Sequence, residues 1–203
     1  MDKSFAKKYY FDARYKMFMT KVFPGEYFAS KKPAGVMTIL GSCVSVCLFD
    51  RKNKIGGMNH FMLPIKNDNA KDGLLEGRYG VYAMELLINK MMQLGSCKKD
   101  LEAKVFGGGK IMGFSSVGEK NSKFALEFLE KEGINVVAKD IGAEYSRKLV
   151  FMTETGQVKV RYVSSSDDDG ESANTLEHTF DDGNGEVELF LNNDKNKDKG
   201  RKK

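Results

Sequence analysis

Cys43 follows a glycine and a serine in the run Thr38-Ile39-Leu40-Gly41-Ser42-Cys43-Val44-Ser45-Val46-Cys47-Leu48-Phe49-Asp50. His60, one of two histidines in the chain, lies in Ile55-Gly56-Gly57-Met58-Asn59-His60-Phe61-Met62-Leu63-Pro64. A thiol brought beside an imidazole is the minimal apparatus for cysteine nucleophilic catalysis. A free cysteine with a pKa near 8.5 is only about 3% thiolate at pH 7, so it needs help to attack. His60 could take its proton or form a thiolate–imidazolium pair with it. Gly41 offers a backbone that turns sharply and exposes amides, and a developing oxyanion needs such donors. The amides of Gly41, Ser42 and Val44 are the candidates for that task.

Blander readings apply to the other thiols. Cys47 and Cys97 read as small buried hydrophobes. A metal site built from Cys43, Cys47, Cys97 and His60 lacks paired ligand spacing, so neither metal nor cofactor is expected. The triple glycine Gly107-Gly108-Gly109 lacks the GxxxxGK[ST] pattern of a phosphate loop. It reads instead as a tight turn that lets backbone approach the site closely.

The elements that must position these residues follow from periodicity. Arg51-Lys52-Asn53-Lys54 is turn chemistry between two β-type runs, and a hairpin there folds His60 back towards Cys43. Within the first run Val44, Val46 and Leu48 share one parity, which predicts a packed face, and Cys43 heads the other set. Pro64 ends the second run, and residues 65–77 read as a loop. Val81, Met84, Leu87 or Ile88, Met91 and Leu94 recur at helical spacing from Tyr79 to Leu94, with Gly95 as the stop. Met84, Met91 and Met92 read as core fillers. Leu101 to Phe106 is a strand, Asn121 to Glu132 a helix, and Ile134 to Ala138 a buried strand. Lys148 to Thr153 and Gln157 to Val163 form a final hairpin. The order β-β-α-β-α-β-β-β predicts an α/β layered sandwich: a single domain with a mixed β-sheet core and two main helices.

Composition bounds the function class. A hydrophobic share of 41% and a charged share of 30% fit a globular protein. No apolar run approaches the roughly 18 residues needed to cross a bilayer. The first 21 residues lack the apolar core of a signal peptide. Three cysteines without a CxxC pair argue against a disulfide framework. A cytoplasmic protein with no direct membrane insertion is expected. Residues 164–203 hold 11 acidic and 6 basic side chains, so a chain of net +5 carries +10 over residues 1–163. A basic body attracts an acidic partner. No RNP-type aromatic motif, zinc-finger spacing or helix-turn-helix is present, so an acidic protein surface is expected and nucleic acid is not. Residues 1–24 read as a basic aromatic arm packing its rings onto a body at 25–163, with Tyr27-Phe28 as a short edge strand. The tail at 164–203 has a composition that predicts disorder, apart from Val187-Glu188-Leu189-Phe190-Leu191, which could dock as a short strand.

Taken together, several segments closely resemble the chemoreceptor glutamine deamidase family CheD. They are Thr38-x-Leu40-Gly41-Ser42-Cys43-Val44-Ser45-Val46, Gly56-Gly57-Met58-Asn59-His60-Phe61-Met62-Leu63-Pro64, Arg78-Tyr79-Gly80, Ala103-Lys104-Val105-Phe106-Gly107-Gly108-Gly109 and Asp140-Ile141-Gly142. The resemblance runs from about Gly25 to Arg161. It implies a CheD-like layered sandwich and hydrolysis of particular glutamine side chains to glutamate on methyl-accepting chemotaxis receptors. It places the nucleophile on Cys43, the general base on His60 and the supporting threonine on Thr38. It also implies docking to the helical cytoplasmic region of those receptors, and a CheC-type phosphatase as a further partner. The alternative function is a non-catalytic module that binds receptors or such a phosphatase. One departure stands out: Ala143 occupies a place where the family pattern carries a second glycine, which matters if the backbone there needs positive φ.

Overall fold

The computed structural model describes residues 5–63, 73–111, 115–163, 177–180 and 188–190; for 73–78, 115 and the last two segments it describes backbone only. Two β-sheets lie face to face, and two helices cover the outer side of one of them. The smaller sheet has the order β3-β6-β5-β7-β8, built from Tyr27–Ser30 (β3), Ile55–Asn59 (β6), Val44–Asp50 (β5), Leu101–Gly107 (β7) and Asn135–Ile141 (β8). The larger has seven strands in the order β1-β2-β4-β9-β10-β11-β12. These are Lys8–Asp12 (β1), Met17–Lys21 (β2), Gly35–Leu40 (β4), Ser146–Met152 (β9), Val158–Val163 (β10), Glu177–Phe180 (β11) and Glu188–Phe190 (β12). Most neighbours are antiparallel, while β2 with β4 and β7 with β8 are parallel. The result is the expected mixed-sheet α/β sandwich with two helices.

The hairpin forms where the turn residues require it, with Cys47 opposite Met58 and Asp50 opposite Ile55. Alternation then sorts β5 between two cores. Val44, Val46 and Leu48 pack with Phe61, Met84, Leu87 and Met91 beneath the helices Gly73–Gln93 (α1) and Ser115–Lys131 (α2). Cys47 and Phe49 face the seam between the sheets with Val36, Leu40, Leu149 and Phe151, and Cys43 packs against that group. Every residue of β5 is buried, as a strand covered on both faces must be.

Several expectations change. Both helices begin earlier than their periodicity shows, at Gly73 and Ser115, and the part of the 65–77 loop from 73 onward is helical. The remainder of that loop lies outside the described residues. Met92 is 46% exposed, unlike Met84 and Met91, because it sits on the solvent side of α1. Cys97 is likewise exposed rather than a core residue. The aromatic arm is part of the larger sheet: β2 pairs with β4, and Phe5 packs its ring on Tyr27 and Phe28. Tyr9, Phe11 and Phe18 nevertheless stay more than half exposed. In the acidic tail, β11 adds to β10 and β12 to β11, so two short segments extend the sheet. The rest of the tail lies outside the described residues.

The run from Thr38 to Asp50 reads as one apolar stretch, but the chain changes sheets inside it. β4 belongs to the larger sheet, β5 to the smaller, and Gly41, Ser42 and Cys43 make the crossing. That crossing places Cys43 at the end of the seam.

Candidate active site

Register decides whether the thiol and the imidazole meet. Beyond the end of β6 the ladder continues in one reciprocal bridge: the Val44 amide donates to the Phe61 carbonyl at 3.0 Å and the Phe61 amide to the Val44 carbonyl at 2.9 Å. Val44 and Phe61 both face the helices. Their neighbours Cys43 and His60 therefore share the opposite side, towards the larger sheet, as diagonal neighbours across the pair. Diagonal neighbours lie roughly 7 Å apart, within reach of a long or aromatic side chain.

His60 is 4% exposed and anchored by its own backbone. Its amide donates to the Glu26 carbonyl at 3.0 Å, and its carbonyl accepts the Gly25 amide at 2.8 Å. The ring nitrogen Nδ1 lies 2.8 Å from the Thr38 hydroxyl. That hydroxyl donates its one proton to the Val22 carbonyl at 2.7 Å. It must therefore accept from the imidazole, so Nδ1 carries the ring proton and Nε2 the free lone pair. Nε2 is buried and has no hydrogen-bond partner among the described residues. An unsatisfied buried nitrogen costs stability, and active sites are where such costs are found. Burial drives the His60 pKa down to about 4, and the Val22 carbonyl opposes the shift.

Cys43 is half-buried. Burial raises its thiol pKa, and its own backbone amide, hydrogen-bonded to the sulfur, pulls the other way. The two shifts disfavour charge on both groups, so thiol and imidazole are each neutral at rest, and no hydrogen bond joins Nε2 to the thiol. Of the expected oxyanion donors, Val44 must be withdrawn, because its amide already donates to Phe61. The amides of Gly41, Ser42 and Cys43 donate to no backbone carbonyl among the described residues. The Gly41 carbonyl accepts the Gly109 amide at 2.8 Å.

The triple glycine makes the close approach its composition predicts. The Gly108 amide donates to the Cys43 carbonyl at 2.7 Å. A Cβ on Gly107, at φ +107°, would overlap that same carbonyl. Sequence reasoning missed two further supports. Asn121, fully buried on α2, donates to the Ser42 carbonyl at 2.8 Å and accepts the Leu63 amide at 2.9 Å. One side chain thus ties the segment before the nucleophile to the segment after the base. Arg147 on β9 is also fully buried, with two 2.9 Å bonds to the carboxylate of Asp140 on β8. Tyr162 donates to the same carboxylate at 3.1 Å. This paired and hydrogen-bonded charge ties the two sheets together near the crossing. Arg147 has the inward parity of Leu149 and Phe151, which was the available signal. Among the described residues no three potential metal ligands converge.

A seam between two sheets with a half-buried thiol and an oriented imidazole on the same side places this chain among layered α/β proteins. The profile described as CheD chemotactic sensory transduction matches residues 62–162. A Shewanella oneidensis protein named probable chemoreceptor glutamine deamidase CheD 1 is 46% identical over 89% of this chain and 92% of its own length. Proteins of Thiobacillus denitrificans and Dechloromonas aromatica with corresponding names are each 44% identical over 79% of this chain, and over 82% and 81% of their own lengths. The chain belongs to the CheD family. A Bacillus licheniformis structure, hypothetical protein YfiH, overlaps 39% of this chain and 26% of its own at 17% identity, with a TM-score of 0.28. No described helix is long and apolar enough to cross a membrane.

Proposed function

We propose that this protein is a protein-glutamine glutaminase that acts in the cytoplasm, hydrolysing glutamine side chains on methyl-accepting chemotaxis receptors to glutamate through a Cys43 thioester. The observation that carries the reading is the Thr38–His60 hydrogen bond, whose direction leaves Nε2 free as a base on the Cys43 side of the sheet. Nε2 takes the thiol proton as sulfur attacks the glutamine Cδ carbonyl. The carbonyl oxygen becomes an oxyanion within reach of the Ser42 and Cys43 amides. Loss of one such donor typically costs about 3 kcal/mol of barrier stabilisation. The imidazolium then gives its proton to the departing nitrogen, the C–N bond breaks, and ammonia leaves behind a thioester. Water, deprotonated by Nε2, attacks that thioester and restores the thiol while releasing glutamate. Thr38 acts by holding the ring and its tautomer, as the third member of a triad does.

The test is mass spectrometry of a receptor cytoplasmic fragment incubated with wild-type or Cys43→Ala protein. Wild type should add about one dalton per converted glutamine, and the variant none. Conversion by the variant would overturn the mechanism. Absence of conversion by either would leave a docking protein.

A further inference from the structure

The outward side of the larger sheet carries a feature that this chemistry does not use. Across β4, β9 and β10 the register sets Ile39 beside Lys148 and Lys148 beside Arg161; one outward rung away, Met37 stands beside Val150 and Val150 beside Lys159. The turn after β1 folds Arg14 and Tyr15 over these positions, enclosing a hollow of about 110 Å³. Four cations line it, Arg14, Lys148, Lys159 and Arg161, against one acid, Asp12. Asp12 is engaged in the turn, accepting the Arg14 amide at 2.9 Å and the Tyr15 amide at 3.3 Å. Arg14 and Lys159 lie 5.7 and 5.6 Å from the centre of the Tyr15 ring.

Like charges directly opposed on neighbouring strands are destabilising, and Lys148 with Arg161 is such a pair. On its other flank Arg161 stands opposite Glu177 of β11, so the place for a carboxylate from outside is the Lys148 and Lys159 side of the hollow. Lys148, Lys159 and Arg161 are half-buried, set around a concave hollow rather than raised on a flat surface. Recessed cations of this kind suit individual carboxylate side chains better than a plane of lipid headgroups. The position matters as well. Ile39, 49% exposed on the same rung, adjoins Thr38, whose hydroxyl meets His60 on the other face. A partner laid across this end of the sheet is one residue of strand away from the seam.

We propose that this basic outer face is an exosite that binds an acidic, carboxylate-rich segment of the protein substrate while the target glutamine occupies the seam. The inference rests on the deamidase reading for its substrate, but not for its binding site. Electrostatic contacts of this type act on association and weaken as salt rises.

The experiment compares full-length wild type, Lys148→Glu/Lys159→Glu and Lys148→Arg/Lys159→Arg. Ammonia release is followed from a receptor cytoplasmic fragment and from a short uncharged glutaminyl peptide, at about 50 and about 300 mM salt. The glutamate variant should raise KM for the fragment about tenfold at low salt, and much less at high salt, with kcat unchanged. Its kinetics on the short peptide should equal wild type, and the arginine variant should behave as wild type on both substrates. Equal losses on fragment and peptide, or no change on either, would overturn the exosite. So would binding to phosphatidylserine vesicles that the glutamate variant loses while its fragment kinetics stay unmoved, because the face would then read lipid. If wild type releases no ammonia, the deamidase reading fails by itself. The exosite is then decided by direct binding of the fragment, in a Cys43→Ala background, with and without the charge swap. Affinity unchanged by the swap overturns it.

Discussion

Cys43 and Cys47 stand four residues apart on the same side of one run of chain, both against the core between the sheets, yet the fold treats them differently. Cys47 is paired on both flanks, with Met58 on β6 and Lys104 on β7, and is 1% exposed. Burial pushes its thiol up to about 12, with Lys104 and Ser45 pulling weakly against it. Cys43 lies just outside the last rung of the ladder, half-buried, with an amide that meets its own sulfur instead of a neighbouring strand. Regular pairing consumes the backbone donors that a reaction would use. Chemistry becomes available where the ladder stops and the chain crosses between sheets.

The largest expected effect separates the two thiols. Cys43→Ala should lose about a thousandfold or more in turnover, whereas Cys47→Ala should keep kcat within about twofold and lose about 1 kcal/mol of stability. In native protein, iodoacetamide should modify Cys43 and exposed Cys97, and reach Cys47 only after denaturant is added. Equal rates at Cys43 and Cys47, read by peptide mapping, would dissolve the contrast.

A second expectation concerns His60, the proposed base. With His60 lowered to about 4, the acid limb of kcat/KM should fall near pH 4 to 5, well below the ordinary histidine range around 6.5. Stability should follow the same group. Between about 6.5 and 4 the unfolded chain binds the proton and the native one does not, so stability drops as pH falls through that window. The full shift is worth about 3 kcal/mol, and His60→Gln should flatten that slope while abolishing turnover. Thr38→Val removes the acceptor that fixes the tautomer and should lower kcat by about ten- to a hundredfold. An acid limb at 6.5 in wild type would mean that His60 is better solvated than its burial indicates.

Much of this arrangement could be read from the chain, and the parts that could not share a cause. Alternation in Val44 to Phe49 and the four turn residues after Asp50 were enough to find the hairpin, because both signals are local. The helix starts were hidden, since glycines at 73, 77 and 118 and the serines at 115 and 116 are weak helix signals that read as loop. Gly41 marks a sharp turn, but nothing local says that the chain changes sheets there, because the residues on both sides are apolar and form strands. Asn121 reaches Ser42 across 79 positions, and its isolated place on a helix gives no hint of that partner. Arg147 was the more readable omission: a cation on the buried parity of a strand must have a partner, and Asp140 was already prominent in the family motif.

Ala143 provides the smallest effect and the finest test of how the periphery of the crossing is built. It adopts φ +62°, a conformation glycine takes freely and alanine does not, directly after Gly142 at φ +77°. Its carbonyl accepts the Lys110 amide at 2.6 Å, so the turn that bears the strain also holds the end of the triple-glycine loop behind Cys43. A left-handed L-residue costs about 1–2 kcal/mol, and the greater freedom of glycine in the unfolded chain returns about 0.4–1 of that. Ala143→Gly should therefore raise stability by about 0.5 kcal/mol, seen as a higher urea midpoint at constant slope, with kcat unchanged. Gly142→Ala, where an added Cβ meets nothing within 4 Å, imposes the same backbone strain without a clash and should lower the midpoint. Opposite signs at adjacent positions point to backbone conformation as the cause, because the Cβ added at Gly142 meets nothing and the one removed at Ala143 is a single exposed methyl; a loss of stability in Ala143→Gly would mean that the turn depends on that methyl and not on the left-handed backbone.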